Sequence, residues 1–374
     1  MTRCPANSSA ISSPEQSADE LASAVKLFHS IMEAPDQQKL LDADERNTNK
    51  MVYTHGVTLW MLILQRLGGG KTLNEVVSQI LSHDRDLLPD NKRVRENTLS
   101  ENSGAYARAR KRMPLETIFE FSNRVCNYLG EVSEPVIDGR RVFILDGTTI
   151  RLPPIKALRE AYPPAPNQHG ESVWPVAQLM VANEMQSGCA LLPQIDPMYG
   201  KISVSEAVQA HRIVKQLPAM SIVMGDANFG IYSVAHHSKL AGHDFLFRLS
   251  RSRFKSLRRR AELIDEGPIH KTYHLLWTPS AKDRKSTPEL PANASLEVVL
   301  HEVVISSTVT LDTENIRAKS VEMFKKELYT SIVAYNLVAQ FRRQSAKLSK
   351  VQPRRSSFKG VWTTLKDRLL LQPA

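Results

Sequence analysis

The spacing of apolar residues divides the chain into a helical first part and a later part in which strands and helices alternate. Apolar residues recur at helical spacing over residues 21–32 and 57–67. Beyond Arg140, short apolar runs predict strands, and one helical stretch interrupts them at 205–217. The predicted strands are 142–145, 174–181, 190–192, 221–224 and 244–249. This order predicts an α/β or α+β domain built on a mixed sheet.

The last third of the chain predicts one further strand and a long helix. The strand is predicted at 298–304 and the helix at 321–338, and the Pro-, Ser- and Lys-rich residues 278–295 are typical of a loop. The predicted organisation is therefore a disordered lead-in, a helical domain, an α/β domain with an inserted segment rich in strands and loops, and a basic extension. These span residues 1–20, 21–130, 138–340 (insertion about 250–310) and 341–374.

Composition adds an expectation about partners. The chain has 374 residues, 42% of them hydrophobic, which excludes a wholly disordered protein. Lys and Arg number 49 against 39 Asp and Glu, and the net charge of +10 favours a polyanion such as nucleic acid. Three widely spaced cysteines indicate neither a disulfide framework nor a zinc site. No apolar run reaches the length of a membrane span, and the first residues lack a signal-peptide pattern.

Basic residues concentrate in three segments, which either contact DNA phosphates or form ordinary solvated surface. The first lies within 103–114, the second runs from 248 to 260, and the third begins the tail at 342. The candidate phosphate contacts are Arg108, Arg110, Lys111, Arg112, Arg248, Arg251, Arg253, Lys255, Arg342 and Arg343.

Two of the predicted strands end at an aspartate. Asp146 follows residues 142–145, and Asp226 follows residues 221–224 with Gly225 between. Carboxylates on rigid strand ends suit two-metal phosphodiester chemistry, whereas the alternative is that each aspartate caps the following turn or helix. Asn228, two residues after Asp226, is a candidate to orient it through a turn. His236, His237 and His243 match no common zinc spacing, which favours surface or helix-cap roles.

Four collinear segments resemble insertion-sequence transposases of the "family four" DDE type. Residues 143–153 (FILDGTTIRLP) and 223–232 (VMGDANFGIY) are similar to the first and second acidic motifs of that family. Residues 103–114 resemble the segment before its catalytic domain, and residues 315–337 resemble the helix after its third acid. The resemblance implies an RNase H-like mixed α/β fold with a helical N-terminal DNA-binding domain.

The same resemblance implies a function and a site. Asp146 and Asp226 would be the catalytic acids that hold Mg²⁺ or Mn²⁺, and the partner would be double-stranded DNA, both element ends and target. The implied activity is DNA transposition by cleavage and strand transfer at the element ends. A dimer assembled on DNA, in the bacterial cytoplasm and associated with the nucleoid, completes the expectation.

One part of the family pattern is missing. No tyrosine begins the spacing Tyr-x2-Arg-x3-Glu-x6-Lys that carries the third acid, and residues 303–305 run almost directly into 308–313. We interpret this as an internal deletion, with Glu314, Glu322 and Glu327 as possible replacements. The expectation is therefore a degenerate transposase. The alternatives are a catalytically inactive DNA-binding remnant and an unrelated metal-dependent nuclease that uses the same two aspartates.

Overall fold

The computed structural model describes residues 51–67, 71–83, 85–135, 137–168, 170–267, 270–303, 320–348 and 361. The predicted lead-in, the helix at 21–32, Glu314 and the tail after 348, apart from residue 361, lie outside these ranges. The helices are α1 (His55–Leu67), α2 (Leu73–Ser82), α3 (Lys92–Arg95), α4 (Gly104–Arg112), α5 (Leu115–Glu131), α6 (Lys156–Ala161), α7 (Glu206–Val214), α8 (Tyr232–Leu240), α9 (Arg251–Arg258), α10 (Ala281–Ser286) and α11 (Val321–Leu348). The strands are β1 (Val142–Arg151), β2 (Pro164–Asn167), β3 (Gly170–Glu184), β4 (Gln194–Pro197), β5 (Ile222–Gly225), β6 (Asp244–Phe247), β7 (Glu262–Glu266), β8 (His270–Trp277) and β9 (Leu296–Val303).

The chain divides into two compact units. One comprises residues 1–129 and 326–374, and the other comprises residues 130–325. In the described part of the first unit, α1 is apolar on nearly every face, and Leu59, Met61 and Ile63 are fully buried. A helix that is apolar all round forms the centre of a core instead of lying on its surface. The predicted helix at 57–67 is confirmed within α1.

A buried ion-pair network holds α1, α4 and α11 together in this first unit. The Glu327 carboxylate lies 3.1 Å from Arg110 and 3.8 Å from Arg66, and all three side chains are nearly buried. The Lys326 ammonium donates to the carbonyl oxygens of Arg110 and Lys111 at 3.3 and 3.4 Å. A cation at those carbonyls stabilises the end of α4 because they lack partners within the helix. Arg110 and Glu327 thus have structural roles.

The second unit is built on a mixed six-stranded sheet. Its strand order is β2-β3-β1-β5-β6, with β4 paired to β3. Strands β1, β5 and β6 run parallel, whereas the β1–β3, β2–β3 and β3–β4 pairs are antiparallel. The α/β class with a mixed sheet is therefore confirmed. The strand predicted at 142–145 is longer than expected, because β1 continues to Arg151 and pairs with β3 as far as that residue.

The strand predicted at 190–192 is wrong. Leu191 donates its backbone N–H to Ala182 at 2.9 Å, and Ala190 forms only an isolated bridge to Asn183. The regular ladder begins at Gln194, opposite Met180. A tight turn explains the offset, because the Glu184 carboxylate accepts from the Ser187 amide and hydroxyl at 2.6 Å each. Regular pairing with β3 therefore begins only after this turn, at Gln194.

Two apolar clusters support the sheet of the second unit. The first joins β1, β3, β5, α7 and α8, with Phe143, Leu145 and Val223 buried at its centre. The second joins α8 and α9 to a three-stranded antiparallel sheet of order β7-β8-β9. There the Tyr232 and Trp277 rings meet edge to face at 5.5 Å. This smaller sheet lies within the range predicted as a strand-rich insertion, and the predicted loop at 278–295 contains α10.

Arg140 and Asp244 fix the start of the three parallel strands. The Arg140 guanidinium donates to the carbonyls of Met220 and Ser221 at 2.7 and 3.2 Å, and to Asp244 at 2.5 Å. Lys239 donates to the other Asp244 oxygen at 2.6 Å. These hydrogen bonds hold the pKa of the Asp244 carboxyl below its usual value, despite opposition from partial burial. The network sets the register on which the opposite end of the sheet depends.

Replacing Asp244 by asparagine should destabilise the protein at neutral pH by about 1 kcal/mol or less, the range of partly exposed ion pairs. The pKa is lowered in the folded state, so the charged form stabilises the fold above the unfolded pKa of about 4. That contribution is lost as the pH falls through the lowered folded pKa. Urea unfolding of D244N and wild type across this range should therefore give curves that converge in acid. A constant difference at every pH would contradict the assignment.

Within the ranges described above, no helix is both long enough and apolar enough to cross a membrane.

Candidate functional site

Asp146 and Asp226 lie side by side, just beyond the last residue pair of the parallel β1–β5 ladder. Strands β1 and β5 pair one for one from Val142 with Ile222 to Ile144 with Met224. Asp146 and Asp226 each stand two residues beyond that last pair, so the register places them opposite each other. Side chains two residues apart on a strand point to the same face. Both carboxylates therefore extend from the face that carries Ile144 and Met224.

The two carboxylates interact electrostatically. Burial raises the pKa of Asp146, and the negative charge of Asp226 raises it further, while a hydrogen bond from the Gly147 backbone opposes both effects. The sequence predicted Asp146 at the end of its strand, but it lies inside β1, where β1 continues without its parallel partner. The site thus forms where β5 ends while the neighbouring strand β1 continues.

A tight turn fixes Asp226. Its Oδ1 accepts from the backbone N–H of Asn228 at 2.8 Å, and its carbonyl accepts from Phe229 at 3.2 Å. The Arg253 guanidinium donates to the Ala227 carbonyl at 3.1 Å. Asn228 thus contacts Asp226 through a turn, and the backbone amide makes this contact. One carboxylate oxygen is held by the turn, while Oδ2 makes none of these bonds.

Two glycines allow this turn to pack closely. A Cβ on Gly225 would lie 2.8 Å from the ring of Phe229, which is buried in the first apolar cluster. A Cβ on Gly230 would lie 2.3 Å from the carbonyl oxygen of Arg248. Backbone atoms have no rotamer to adopt, so any side chain at Gly230 would displace the chain between β5 and α8. The position of Asp226 depends on that chain.

Arg248 stands at the same edge of the sheet. Strands β5 and β6 pair up to Gly225 with Phe247, and the Arg248 N–H then donates to the Gly225 carbonyl at 3.1 Å. The register thus sets Arg248 beside Asp226, on the same face, and its side chain is exposed. Three neighbouring parallel strands therefore present Asp146, Asp226 and Arg248 in a row.

The other basic residues singled out from the sequence differ in their surroundings. Arg108, Lys111 and Arg112 are exposed on α4, although Arg112 also donates to the Tyr53 carbonyl at 3.4 Å. Arg251 and Lys255 are exposed on α9, whereas Arg253 is engaged with Ala227. Arg110, in the ion pair with Glu327, is largely buried. Arg342 and Arg343 are partly buried on α11, and burial lowers the pKa of Arg343.

None of the described carboxylates completes a three-acid cluster around Asp146 and Asp226. Among the described residues, the group of three or more acidic, histidine or cysteine ligands within 4.8 Å of one another is His211, His237 and Glu289. Glu314 lies outside the described residues, Glu322 is exposed on α11, and Glu327 is committed to Arg66 and Arg110. Of the three replacements suggested by the sequence, Glu327 is therefore engaged in another interaction.

Glu206 approaches β1 from the other side of the sheet. A Cβ on Gly147 would lie 2.8 Å from the Glu206 Oε1, so the missing side chain leaves room for that carboxylate. Adjacent residues of a strand face opposite ways, and Gly147 therefore faces α7 while Asp146 faces away from it. Glu206 is not a ligand on the Asp146 face.

The donor set fits a hard divalent cation. Mg²⁺ and Mn²⁺ prefer oxygen ligands, and Mg²⁺ is typically bound by one or two carboxylates together with several waters. Asp146 and Asp226 supply two carboxylates whose mutual repulsion a cation would relieve. The pair thus suits magnesium or manganese better than a soft metal.

The histidines predicted to be surface or helix-cap residues have separate environments. His243 is buried, and its Nε2 lies 2.9 Å from the Val214 carbonyl. His237 stacks on His211, a residue that the sequence did not single out because it comes from a different helix. Only the packing of α7 against α8 brings these two rings together.

Comparisons with known proteins do not assign a family. No family model matches the chain, and no curated protein matches it. A piggyBac transposase synaptic complex with hairpin DNA is similar in structure, with 9% sequence identity and a TM-score of 0.40. The match covers 94% of this chain and 82% of that one. A TM-score this low assigns neither a fold family nor a function.

Replacing Gly230 by alanine should destabilise the protein by roughly 1–3 kcal/mol, because the new Cβ would collide with the Arg248 carbonyl. Chemical denaturation of G230A measures this loss. The matched control is G130A, where a Cβ would meet only the Arg141 guanidinium carbon at 3.9 Å within a helix. We expect the control to be neutral or slightly stabilising. Equal stability of G230A and wild type would contradict the close approach.

Proposed function

We propose that this chain is a DNA transposase of the DDE type by descent, with an RNase H-like core in which Asp146 and Asp226 bind Mg²⁺ or Mn²⁺. The observation that carries the proposal is the register of β1 against β5, which sets the two aspartates on one face at one edge. The four collinear sequence resemblances agree with this arrangement. An antiparallel set of strands that leads into parallel ones supports the RNase H-like assignment.

The protein's own residues would position the reacting DNA. A divalent cation bound by two carboxylates supplies electrostatic stabilisation of a phosphodiester undergoing cleavage or strand transfer. Arg248, on the same face as the acids, would bind a nearby phosphate oxygen by a charge-assisted hydrogen bond. The turn held by Asn228, Arg253 and Gly230 would keep Asp226 in place while DNA binds. Rigid support of this kind is what metal-dependent chemistry requires.

DNA is the proposed partner, both as element ends and as target, and a dimer is proposed to form on it. Helix α9 favours this partner because its sequence RSRFKSLR contains cations and no acid, with Arg251 and Lys255 exposed. On α4, Arg108 and Lys111 offer a second exposed basic surface. Contacts to phosphates hold DNA without reading its sequence, so both surfaces would contribute to affinity more than to specificity.

A second candidate function is a DNA-binding remnant without turnover. It is favoured by the missing third-acid motif and by the engagement of Glu327 in a buried ion-pair network. Removing Glu327 from that network to bind metal would leave Arg66 and Arg110 without their carboxylate partner, which is costly in a buried setting. The two candidates share every DNA contact and differ only in cleavage and joining.

The distinguishing experiment measures magnesium- or manganese-dependent cleavage of a labelled element end, and joining of a pre-cut end to target DNA. Wild type is compared with D146N and D226N, and with E206Q as a control carboxylate on the opposite face of the sheet. An active transposase should cleave and join, lose both activities in D146N and D226N, and retain them in E206Q. Turnover in wild type would also require a third ligand outside the described residues.

The remaining outcomes separate the alternatives. Salt-sensitive DNA binding without cleavage identifies the remnant. Cleavage without joining identifies a nuclease that uses the same two aspartates. Cleavage that survives in both D146N and D226N, or no DNA binding at all, would overturn the proposal.

The variant R248Q should bind DNA more weakly and with a shallower salt dependence. Each lost phosphate contact lowers the slope of log K against log salt by about 0.9. Binding isotherms at several salt concentrations measure that slope, with K285Q on the exposed α10 as the matched loss of one positive charge. A slope for R248Q that equals the K285Q slope would show that Arg248 makes no specific phosphate contact.

A further inference from the structure

His211 carries a buried nitrogen whose hydrogen-bonding capacity is unmet. The side chain lies on α7 and is 7% exposed, and its Nε2 has no hydrogen-bond partner among the described residues. An unpaired buried polar atom is costly, so native proteins rarely retain one without a reason such as a bound ion. This nitrogen points to a ligand that the polypeptide itself does not supply.

His237 is oriented to offer its other nitrogen. Its Nδ1 lies 2.8 Å from the Ser233 carbonyl one turn earlier on α8. Because a carbonyl only accepts, Nδ1 carries the hydrogen and Nε2 presents a lone pair. Histidines that bind metals commonly donate their second ring nitrogen to a backbone carbonyl in this way, which fixes the tautomer and the ring.

Glu289 brings a carboxylate to the two rings from a third element. One of its oxygens and one nitrogen of each histidine lie within 4.8 Å of one another. The turn that carries Glu289 is anchored on both sides, because Thr287 and Leu290 are buried and the Leu290 N–H donates to Thr287 at 3.2 Å. Glu289 itself is exposed. A carboxylate on an anchored turn therefore lies within reach of both histidine rings.

We propose that His211, His237 and Glu289 form a binding site for a zinc-like divalent transition-metal ion, which ties α7 and α8 to the turn after α10. Two imidazoles and one carboxylate are a ligand set that zinc accepts, with water in a fourth position. The rings now stack in parallel with centroids 3.7 Å apart and planes 9° apart. Lone pairs lie in the ring planes, so one imidazole must turn about its Cβ–Cγ bond when the ion binds. The site uses neither Asp146 nor Asp226.

The test is direct titration of the full chain, stripped with a chelator, with Zn²⁺ alone. Wild type should bind one equivalent tightly and melt at a higher temperature when zinc is present. Both H237Q and E289Q should weaken that equivalent at least tenfold. Co²⁺ provides a spectroscopic readout, since its visible absorption reports ligation by these side chains and should be lost in the same variants.

Controls address folding and incidental binding by the 11 histidines of the chain. His274 forms another histidine–carboxylate pair, 2.9 Å from Glu297 on the smaller sheet, so H274Q is the matched variant and should keep wild-type affinity. D146N should also keep it. Glu289 is exposed, so E289Q is expected to fold, and its thermal melt without metal verifies this. Wild type without a tight equivalent, unchanged affinity in both H237Q and E289Q, or an equal loss in H274Q would each overturn the proposal.

Discussion

The parallel pairing of β1 with β5 is the constraint on which the candidate site depends. It brings two like charges together at one edge of the sheet, where Asp226 raises the pKa of Asp146. Such a pair opposes folding at neutral pH, so the structure has to hold it in place. The Arg140–Asp244 network does so from the opposite ends of the strands, and the packed apolar cluster between them makes the sheet rigid.

Sequence patterns were sufficient to locate β1, β3, β5 and β6 of the larger sheet, but not β2, β4 or the extent of β1. The apolar runs at 142–145, 221–224 and 244–249 predicted β1, β5 and β6, because strands of parallel sheets tend to form continuous apolar runs. The extent of β1 and the start of β4 depend on pairing with β3, which no local pattern encodes. A helix inside the predicted loop at 278–295 was missed because α10 is short and polar.

In the candidate site too, local sequence patterns predicted some residues, whereas others depend on contacts between distant segments. Asp146 and Asp226 were predicted from strand-end position and from resemblance; the β1–β5 register sets the two residues side by side, and their role in metal binding stays a prediction. Their neighbours depend on tertiary packing: the basic pattern of α4 gave no sign that Arg110 pairs with Glu327. Likewise, His211 stacks on His237 because α7 and α8, which are separate in sequence, pack against each other in the fold. The partner of a charged residue becomes known only when the two secondary-structure elements that carry the pair have been located in the fold.

Binding of Mn²⁺ to the free protein, followed by electron paramagnetic resonance, tests the central claim most directly, because it asks only whether the two aspartates form one cation site. The account predicts that wild type and E289Q bind Mn²⁺ equally, and that D146N and D226N each bind it much more weakly. The same affinity in wild type, D146N and D226N would contradict the account, since the two carboxylates would then share no ion.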